Sequence, residues 1–132
     1  MFGFFTTIDK ERAKNLSPLT LAFLGDAVYS LYVREKLVLS ADLKAGQLQN
    51  LTSKQVSAHG QSELLERLIP LFTEEESDVY RRGRNAKKPT KSKNASVAEY
   101  NRSTGFEAVI GYLYLTGQYE RIEKLLDGRD EN

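Results

Sequence analysis

The sequence predicts an all-α protein, a compact helical bundle. Apolar residues recur at spacings of three and four through most of the 132 residues, which is the period of an amphipathic helix. No alternating apolar and polar run of any length, the pattern of a half-buried strand, appears. Boundary signals agree, because Ser17 and Pro18 suit an N-cap and a first turn, and Pro70 ends a helical segment. These observations favour helices alone, without repeats and without a second domain.

The first long apolar segment predicts a central helix. It begins at Leu19 and extends to about Val38, and its apolar residues cover more than one stripe of the helical surface. Such a helix is expected to be buried on most sides. A shorter segment begins at residues 40–42, and a further helix is compatible with residues 51–68, which the following Pro70 stops.

The second half of the chain predicts three more helices and one loop. The first of these helices begins at Thr73 with three glutamates, expected to be a solvated first turn, and ends in the basic residues 81–84. Acids at the start and bases at the end suit the helix dipole. Residues 87–93 are predicted to form a loop. A long helix follows over about 97–115, and a short last helix covers about 119–126.

Composition excludes several kinds of chemistry. The length favours one domain over residues 1–132, and 40% hydrophobic with 28% charged residues is the usual balance of a globular protein. We expect no membrane span and no signal peptide. The absence of cysteine excludes disulfides and thiolate catalysis, and one histidine excludes a histidine-rich metal cage. We therefore expect a cytoplasmic protein whose chemistry uses carboxylates, hydroxyls, lysine and arginine.

Two carboxylates stand inside otherwise apolar helical segments. They are Asp26 and Glu107, and 81 residues separate them along the chain. A carboxylate among core-forming neighbours is costly unless it is paired, hydrogen-bonded or bound to a metal ion. We therefore predict that folding brings two buried acids together around a Mg²⁺ ion. Two alternatives stay open, namely an ordinary polar contact for Asp26 and an ion pair with Arg34 or Arg102 for Glu107.

A strongly basic segment precedes the second acid. Residues 81–102 contain eight lysines and arginines against one acid, while the whole chain has a net charge of +1. A local block of this kind attracts polyanions, and its asparagines and serines can hydrogen-bond phosphates. A solvated lysine-rich loop is the alternative, and contact with nucleic acid is the interpretation we favour. The predicted contacts are Arg81, Arg82, Arg84, Lys87, Lys88, Lys91 and Lys93.

Two motifs in these segments resemble those of the ribonuclease III catalytic domain. Residues 23–28 are FLGDAV, similar to that family's signature, and residues 106–111 are FEAVIG, similar to its second acidic motif. Their order and the helical region between them also agree, and the resemblance covers nearly the whole chain. With RNAK at 84–87 and STGFE at 103–107, and without the family's usual double-stranded-RNA-binding domain, the chain most resembles the bacterial subfamily Mini-ribonuclease III.

The resemblance implies both a function and a set of partners. It implies an all-α endonuclease domain that forms a homodimer and cleaves double-stranded RNA with Mg²⁺, which Mn²⁺ could replace. In this subfamily the substrate is a precursor of large-subunit (23S) ribosomal RNA, and proteins of that subunit could assist. Each subunit of the dimer cuts one strand. The expected interface is the apolar opening face of the first long helix, with Leu19 and Phe23.

Only part of the family's acid cluster carries over to this chain. Asp26 and Glu107 match catalytic and metal-binding acids of the family, but Ala22 and Thr104 stand where the family has two further acids. Two carboxylates can still hold one Mg²⁺, with water and phosphate completing its octahedron. Three nearby polar residues are expected to support the site: Thr104, Asn94 and Glu99.

Two other functions stay open at this point. One is a non-catalytic RNA-binding module, which the missing acids at Ala22 and Thr104 would favour. The other is a helical protein-interaction domain whose basic loop binds an acidic partner. The retention of Asp26 and Glu107 favours the nuclease, and His59 is assigned no role.

Overall fold

A computed structural model describes residues 6–88 and 96–128. Over those two ranges the chain forms seven α-helices and one 3₁₀ turn and no strand, which confirms the all-α prediction. No helix in them is long and apolar enough to cross a bilayer. One domain over 1–132 stays a prediction. The helices are α1 Lys10–Lys14, α2 Pro18–Ser40, α3 Ala45–Val56, α4 Ala58–Leu68, α5 Glu74–Asn85, α6 Val97–Leu115 and α7 Tyr119–Asp127, and the 3₁₀ turn is Ile69–Leu71.

The central helix of the bundle is α6 rather than α2. Phe106, Ile110 and Leu113 of α6 are fully buried. One side of α2 is open instead, since Phe23 is 83% exposed and Val38 is 61% exposed. The prediction that α2 is buried on most sides is therefore wrong for the single chain, because the other helices cover only one side of it.

Helices α2 and α6 pass each other at two glycines. A Cβ atom built on Gly25 would overlap the carbonyl oxygen of Glu107 and would lie 2.8 Å from the amide nitrogen of Gly111. A Cβ atom on Gly111 would in turn overlap the carbonyl oxygen of Leu21. Glycine is needed at both positions because each backbone fills the space where a side chain would begin. This crossing determines which residues of the two helices become neighbours.

A break at Ser57 separates α3 from α4. Its backbone is extended, with ψ of 158°, and its hydroxyl accepts a hydrogen bond at 3.0 Å from the amide of Gly60. A Cβ atom on Gly60 would lie 2.9 Å from the carbonyl oxygen of Gln55, so the turn needs glycine. The prediction of one helix over 51–68 is therefore wrong, because the serine N-cap starts a second helix in a new direction.

Most of the other predicted boundaries are confirmed. Helix α2 begins at Pro18, α5 follows its N-cap Thr73, and α6 spans the predicted residues 97–115. The predicted helix start at residues 40–42 is wrong, because α2 continues through Ser40 and α3 begins only after a short extended connection.

Helix α5 packs closely on α6 and is tied to α7. A Cβ atom on Gly83 would lie 2.9 Å from the Cα atom of Gly105, so the two backbones nearly touch. At the other end of α5, Arg121 donates two hydrogen bonds of 2.8 Å to the carboxylate of Glu76, which is 2% exposed. The expectation of a solvated glutamate turn is thus wrong for Glu76, because a buried ion pair uses it. The packing places the basic end of α5 at the level of Glu107 along α6, on a different face of that helix.

Candidate active site

Asp26 of α2 and Glu107 of α6 are neighbours at the helix crossing. Their carboxyl groups lie within hydrogen-bonding reach of each other. Burial, with the facing Asp26, raises the pKa of Glu107 to about 8, and a hydrogen bond from Gln61 opposes part of the rise. Glu107 is partly buried but Asp26 is exposed, so the prediction of two buried acids is wrong for Asp26. Its side chain lies on the part of α2 that the bundle leaves open.

The glycine contacts explain why these acids meet. Gly25 directly precedes Asp26, and its Cα faces the backbone carbonyl of Glu107. This backbone contact keeps the chain positions of Asp26 and Glu107 close together. The pair is thus set by the packing of α2 on α6 and not by a flexible loop.

Gln61 of α4 completes the surroundings of Glu107. Its amide nitrogen donates a hydrogen bond of 2.9 Å to Oε2 of Glu107 and one of 3.0 Å to the carbonyl oxygen of Val56. Gln61 is only 1% exposed, and its Oε1 has no hydrogen-bond partner among residues 6–88 and 96–128. Because an amide donor favours the charged form of a carboxylate, this contact lowers the pKa of Glu107 against the effect of burial.

The arginines considered as partners of Glu107 make other contacts. Arg34 donates to the carbonyl oxygen of Ser30 at 3.4 Å, and Arg102 donates to the carbonyl oxygen of Ser62 at 3.3 Å. Both guanidinium groups thus satisfy backbone acceptors on the helices around the site. The partners of Glu107 are Asp26 and Gln61 instead of either arginine.

The two residues that replace the family's further acids are buried and offer no carboxylate to the site. Ala22 and Thr104 are each 6% exposed, and the Thr104 hydroxyl donates to the carbonyl oxygen of Tyr100 at 3.0 Å. That hydroxyl is used within its own helix. Across residues 6–88 and 96–128, no group of three aspartate, glutamate, histidine or cysteine side chains is arranged to hold a metal ion. The site therefore has two carboxylates.

Glu99, expected to support the site, pairs with a histidine. Its Oε2 lies 2.6 Å from Nδ1 of His59, and Glu63 lies 3.7 Å from the other ring nitrogen. The hydrogen bond and charge of Glu99, with the charge of Glu63, raise the pKa of His59. The pair connects α4 to the first turn of α6. Asn94, also expected to support the site, lies outside the described residues.

Lys88 caps the end of α5. Its ammonium group donates to the carbonyl oxygens of Gly83 and Arg84 at 2.9 Å and of Ala86 at 2.7 Å. Burial lowers the pKa of this lysine. All three of its hydrogen bonds go to backbone carbonyls at the C-terminal end of α5, where a cation also suits the helix dipole.

The other predicted cations are more available. Lys87 and Arg84 are exposed, and the Arg84 guanidinium carbon lies 5.5 Å from the ring centroid of Tyr80. Arg82 is partly buried, and Arg81 is paired with an aspartate one turn earlier in α5. Two further lysines predicted to contact RNA lie outside the described residues: Lys91 and Lys93.

The donor atoms of the acid pair fit a hard divalent cation. Asp26 and Glu107 offer carboxylate oxygens, and Gln61 adds a buried amide oxygen without a partner. Oxygen-only sites suit Mg²⁺ and Mn²⁺, and Mg²⁺ commonly binds through one or two carboxylates with the remaining positions taken by water and phosphate. A cation would also oppose the burial and the repulsion from Asp26 that together raise the pKa of Glu107.

A model of the ribonuclease III domain matches residues 19–118, a range that contains both acids and Gln61. The chain belongs to the ribonuclease III domain family. It is 46% identical over 96% of its length to Mini-ribonuclease 3 of Thermoanaerobacter sp. strain X514, of which it covers 92%. It is 49% identical over 86% of its length to Mini-ribonuclease 3 of Staphylococcus aureus strain NCTC 8325 / PS 47, of which it covers 87%.

A solved crystal structure has the same fold as this chain. The crystal structure of the protein FN1578 from Fusobacterium nucleatum superposes with a TM-score of 0.80 at 32% identity, covering 86% of this chain and 92% of that one. The family acts on double-stranded RNA and generally uses a divalent metal ion. This protein is therefore an endoribonuclease of the ribonuclease III family.

Gln61 is the residue of this ribonuclease III domain that the sequence analysis missed. A glutamine in an amphipathic helix carries no signal of its own, and the helix predicted over 51–68 left no reason to direct it inward. The segment from Ser57 to Gly60 could have indicated it, because its serine cap and glycine mark the start of the separate helix α4 that carries Gln61.

Proposed function

We propose that this protein is a Mg²⁺-dependent endoribonuclease that cleaves double-stranded RNA in the maturation of large-subunit (23S) ribosomal RNA in the cytoplasm. The observation that carries the proposal is the pair of Asp26 and Glu107 at the crossing of α2 and α6, with oxygen donors only. The Mini-ribonuclease 3 relatives, at 46% and 49% identity, support an RNA-processing role.

Asp26 and Glu107 would hold the cation and act as the catalytic pair. When bound, Mg²⁺ supplies a Lewis acid that lowers the pKa of a coordinated water and neutralises charge on the phosphate. Glu107 must release its proton to bind a cation, and the amide of Gln61 favours that release. Asp26, which is exposed, faces the side from which a phosphodiester can approach.

The basic end of α5 would hold the RNA backbone beside this site. Gly83 packs on Thr104, Gly105 and Ala108, so the cations that flank it lie at the level of Glu107 along α6, on a different face of that helix. Duplex RNA presents mainly phosphates and 2′-hydroxyls, which suits recognition by positive charge and shape. In this proposal Lys88 holds the backbone of the segment, and the phosphate contacts are Arg81, Arg82, Arg84, Lys87, Lys91 and Lys93.

The uncovered side of α2 would form a homodimer interface. Phe23 is 83% exposed, and Leu31 and Val38, further along the same helix, are 48% and 61% exposed. Large apolar side chains in such a row are typical of a subunit interface. Since Asp26 lies on the same open part of α2, a twofold dimer would set two acid pairs against the two strands of one duplex. Proteins of the large ribosomal subunit would be additional partners.

A cleavage assay on the full chain tests the proposal. Long duplex RNA, single-stranded RNA and a 23S precursor fragment are incubated with and without Mg²⁺. We expect Mg²⁺-dependent cuts in duplex regions only, and a rate loss of about a hundredfold or more in Asp26→Asn and in Glu107→Gln. Asp42→Asn and Glu66→Gln, which each remove an exposed acid elsewhere, are the matched controls and should cleave normally.

Three outcomes would contradict the proposal. Duplex binding without any cleavage would indicate a non-catalytic RNA-binding module. Cleavage that survives in both acid variants would remove the acid pair from the chemistry. Equal cleavage of duplex and single-stranded RNA would overturn the substrate assignment.

A further inference from the structure

Gln61 occupies an unusual place beside the acid pair. It lies in the first turn of α4, just after the break at Ser57, and its side chain is 1% exposed. Its amide nitrogen is 2.9 Å from Oε2 of Glu107 and 3.0 Å from the carbonyl oxygen of Val56. A neutral side chain thus touches the carboxylate on which the site depends.

The contacts of Gln61 establish which way its amide group is turned. The carbonyl oxygen of Val56 can only accept a hydrogen bond, so the atom that faces it must be the nitrogen. The amide oxygen is consequently the atom without a partner, buried next to the acid pair. Buried polar atoms are almost always satisfied, and an exception at a site commonly marks a water or ion.

We propose that Gln61 is the third member of the acid site, a positioning residue whose N–H orients Glu107 and whose Oε1 accepts a hydrogen bond from the water shell of the bound cation. The inference rests on the proposed cation-dependent function. It assigns to Gln61 a role in binding the ion in addition to its packing role in α4.

A residue other than the acids is needed to accept hydrogen bonds at the site, because two acids of the family are replaced here. Ala22 is buried, and the Thr104 hydroxyl is committed to the carbonyl oxygen of Tyr100, so neither position supplies an acceptor to the site. A cation held by two carboxylates keeps more water, and each water needs an acceptor for its protons. A neutral amide supplies one oxygen without adding a third negative charge to two acids that already repel each other.

Gln61 also orients Glu107 when no cation is bound. The hydrogen bond occupies Oε2 of Glu107 and limits rotation of the carboxylate, as partners of metal ligands commonly do. The second bond, to Val56, anchors the amide to the end of α3. Gln61 therefore links the carboxylate of Glu107 to the break between α3 and α4.

The test is Mn²⁺ binding to the full chain without RNA, measured by titration calorimetry and by electron paramagnetic resonance. Gln61→Met keeps the length and burial of the side chain but removes both polar atoms, and Gln61→Asn is a second variant that keeps an amide but withdraws it from Glu107. We expect each to weaken Mn²⁺ binding about tenfold or more. The Mg²⁺ concentration that gives half-maximal cleavage should rise by a similar factor.

Loss of packing is separated from loss of ion binding by a control in the same helix. Leu65→Val removes one methylene group from a fully buried residue of α4 and should lower the melting temperature without weakening Mn²⁺ binding. If Leu65→Val weakens Mn²⁺ binding as much as Gln61→Met does, the role assigned to Gln61 is overturned.

The result also distinguishes this inference from the proposed function. Wild-type binding that is lost in Asp26→Asn and Glu107→Gln, but unchanged within twofold in both Gln61 variants, overturns the role of Gln61 alone. An absence of Mn²⁺ binding by the wild-type chain overturns the cation site and the role of Gln61 together.

Discussion

The crossing of α2 and α6 and the basic end of α5 hold charge in two different ways. At the crossing, backbone passes against backbone at Gly25 and Gly111, and this contact keeps the positions of the two acids close together. At the end of α5, Arg84 and Lys87 are exposed, whereas Lys88 is held by three backbone carbonyls. Cation binding needs oxygens at set positions, whereas attraction to a phosphate backbone needs mainly charge. The protein thus has fixed backbone geometry where chemistry is proposed and exposed side chains where RNA is to be held.

The largest expected effect comes from breaking the crossing itself. Gly25→Ala places a Cβ atom on the carbonyl oxygen of Glu107, so the helices must separate. We expect a loss of about 3 kcal/mol in the free energy of unfolding, measured by urea denaturation, and loss of cleavage. Gly46→Ala is the matched control, because its Cβ would meet nothing within 4 Å and should leave the stability equal or higher. Equal stability of both variants would contradict the importance of the crossing.

The second prediction concerns the pH dependence of stability that follows from the raised pKa of Glu107. The folded pKa of Glu107, about 8, is above its ordinary value of 4.5, so the metal-free fold loses stability as the pH rises from 4.5 to 8. Glu107→Gln removes this cost and should stabilise the metal-free protein above pH 8 by at least about 1 kcal/mol, with little difference at pH 4. Thermal unfolding at both pH values is the measurement. A variant that is destabilised at pH 9 without metal would contradict the raised pKa.

The basic end of α5 is tested by two adjacent lysines. Lys88→Gln removes the cap from the last carbonyls of α5 and should cost about 1 kcal/mol of stability, measured by urea denaturation. Lys87→Gln should leave the stability unchanged and reduce the salt slope of RNA affinity by about one. If the two variants exchange these effects, the assignment of Lys88 as a cap and Lys87 as a phosphate contact is wrong.

The smallest expected effect is at the pair of His59 and Glu99. The folded pKa of His59 is above the unfolded value of 6.5, so its contribution to stability is complete below pH 6.5 and is lost as the pH rises through the folded pKa. His59→Ala should therefore lower the melting temperature slightly at pH 5.5 and less at pH 8.5. The same decrease at both pH values would show that charge does not contribute to this pair.

Particular helices show how far sequence reasoning reached. The starts of α2 and α5 and the whole of α6 were predictable because serine, threonine and proline caps and apolar spacing are local signals. The break at Ser57 was missed, since a helical pattern can continue across a change of direction. The centrality of α6 over α2 was also missed, because both are strongly apolar and only packing decides which one is covered.

The candidate site was predictable to a similar degree. The apolar surroundings of Asp26 and Glu107, and the resemblance of their motifs to the ribonuclease III domain, predicted that the two acids meet. The contact from Gln61 depends on the new direction of α4, and the exposure of Asp26 depends on which side of α2 stays uncovered. Neither property is visible in the spacing of residues.

The sequence by itself determined the starts of α2 and α5, the span of α6, the family and the identity of the two acids, because capping, apolar period and motif residues act over a few neighbouring positions. Only the tertiary structure decided that Gln61 would hold Glu107, that Lys88 would cap α5 and that one side of α2 would stay open. Those outcomes depend on the angles at which helices pack, and packing angles follow from contacts between residues far apart in the chain.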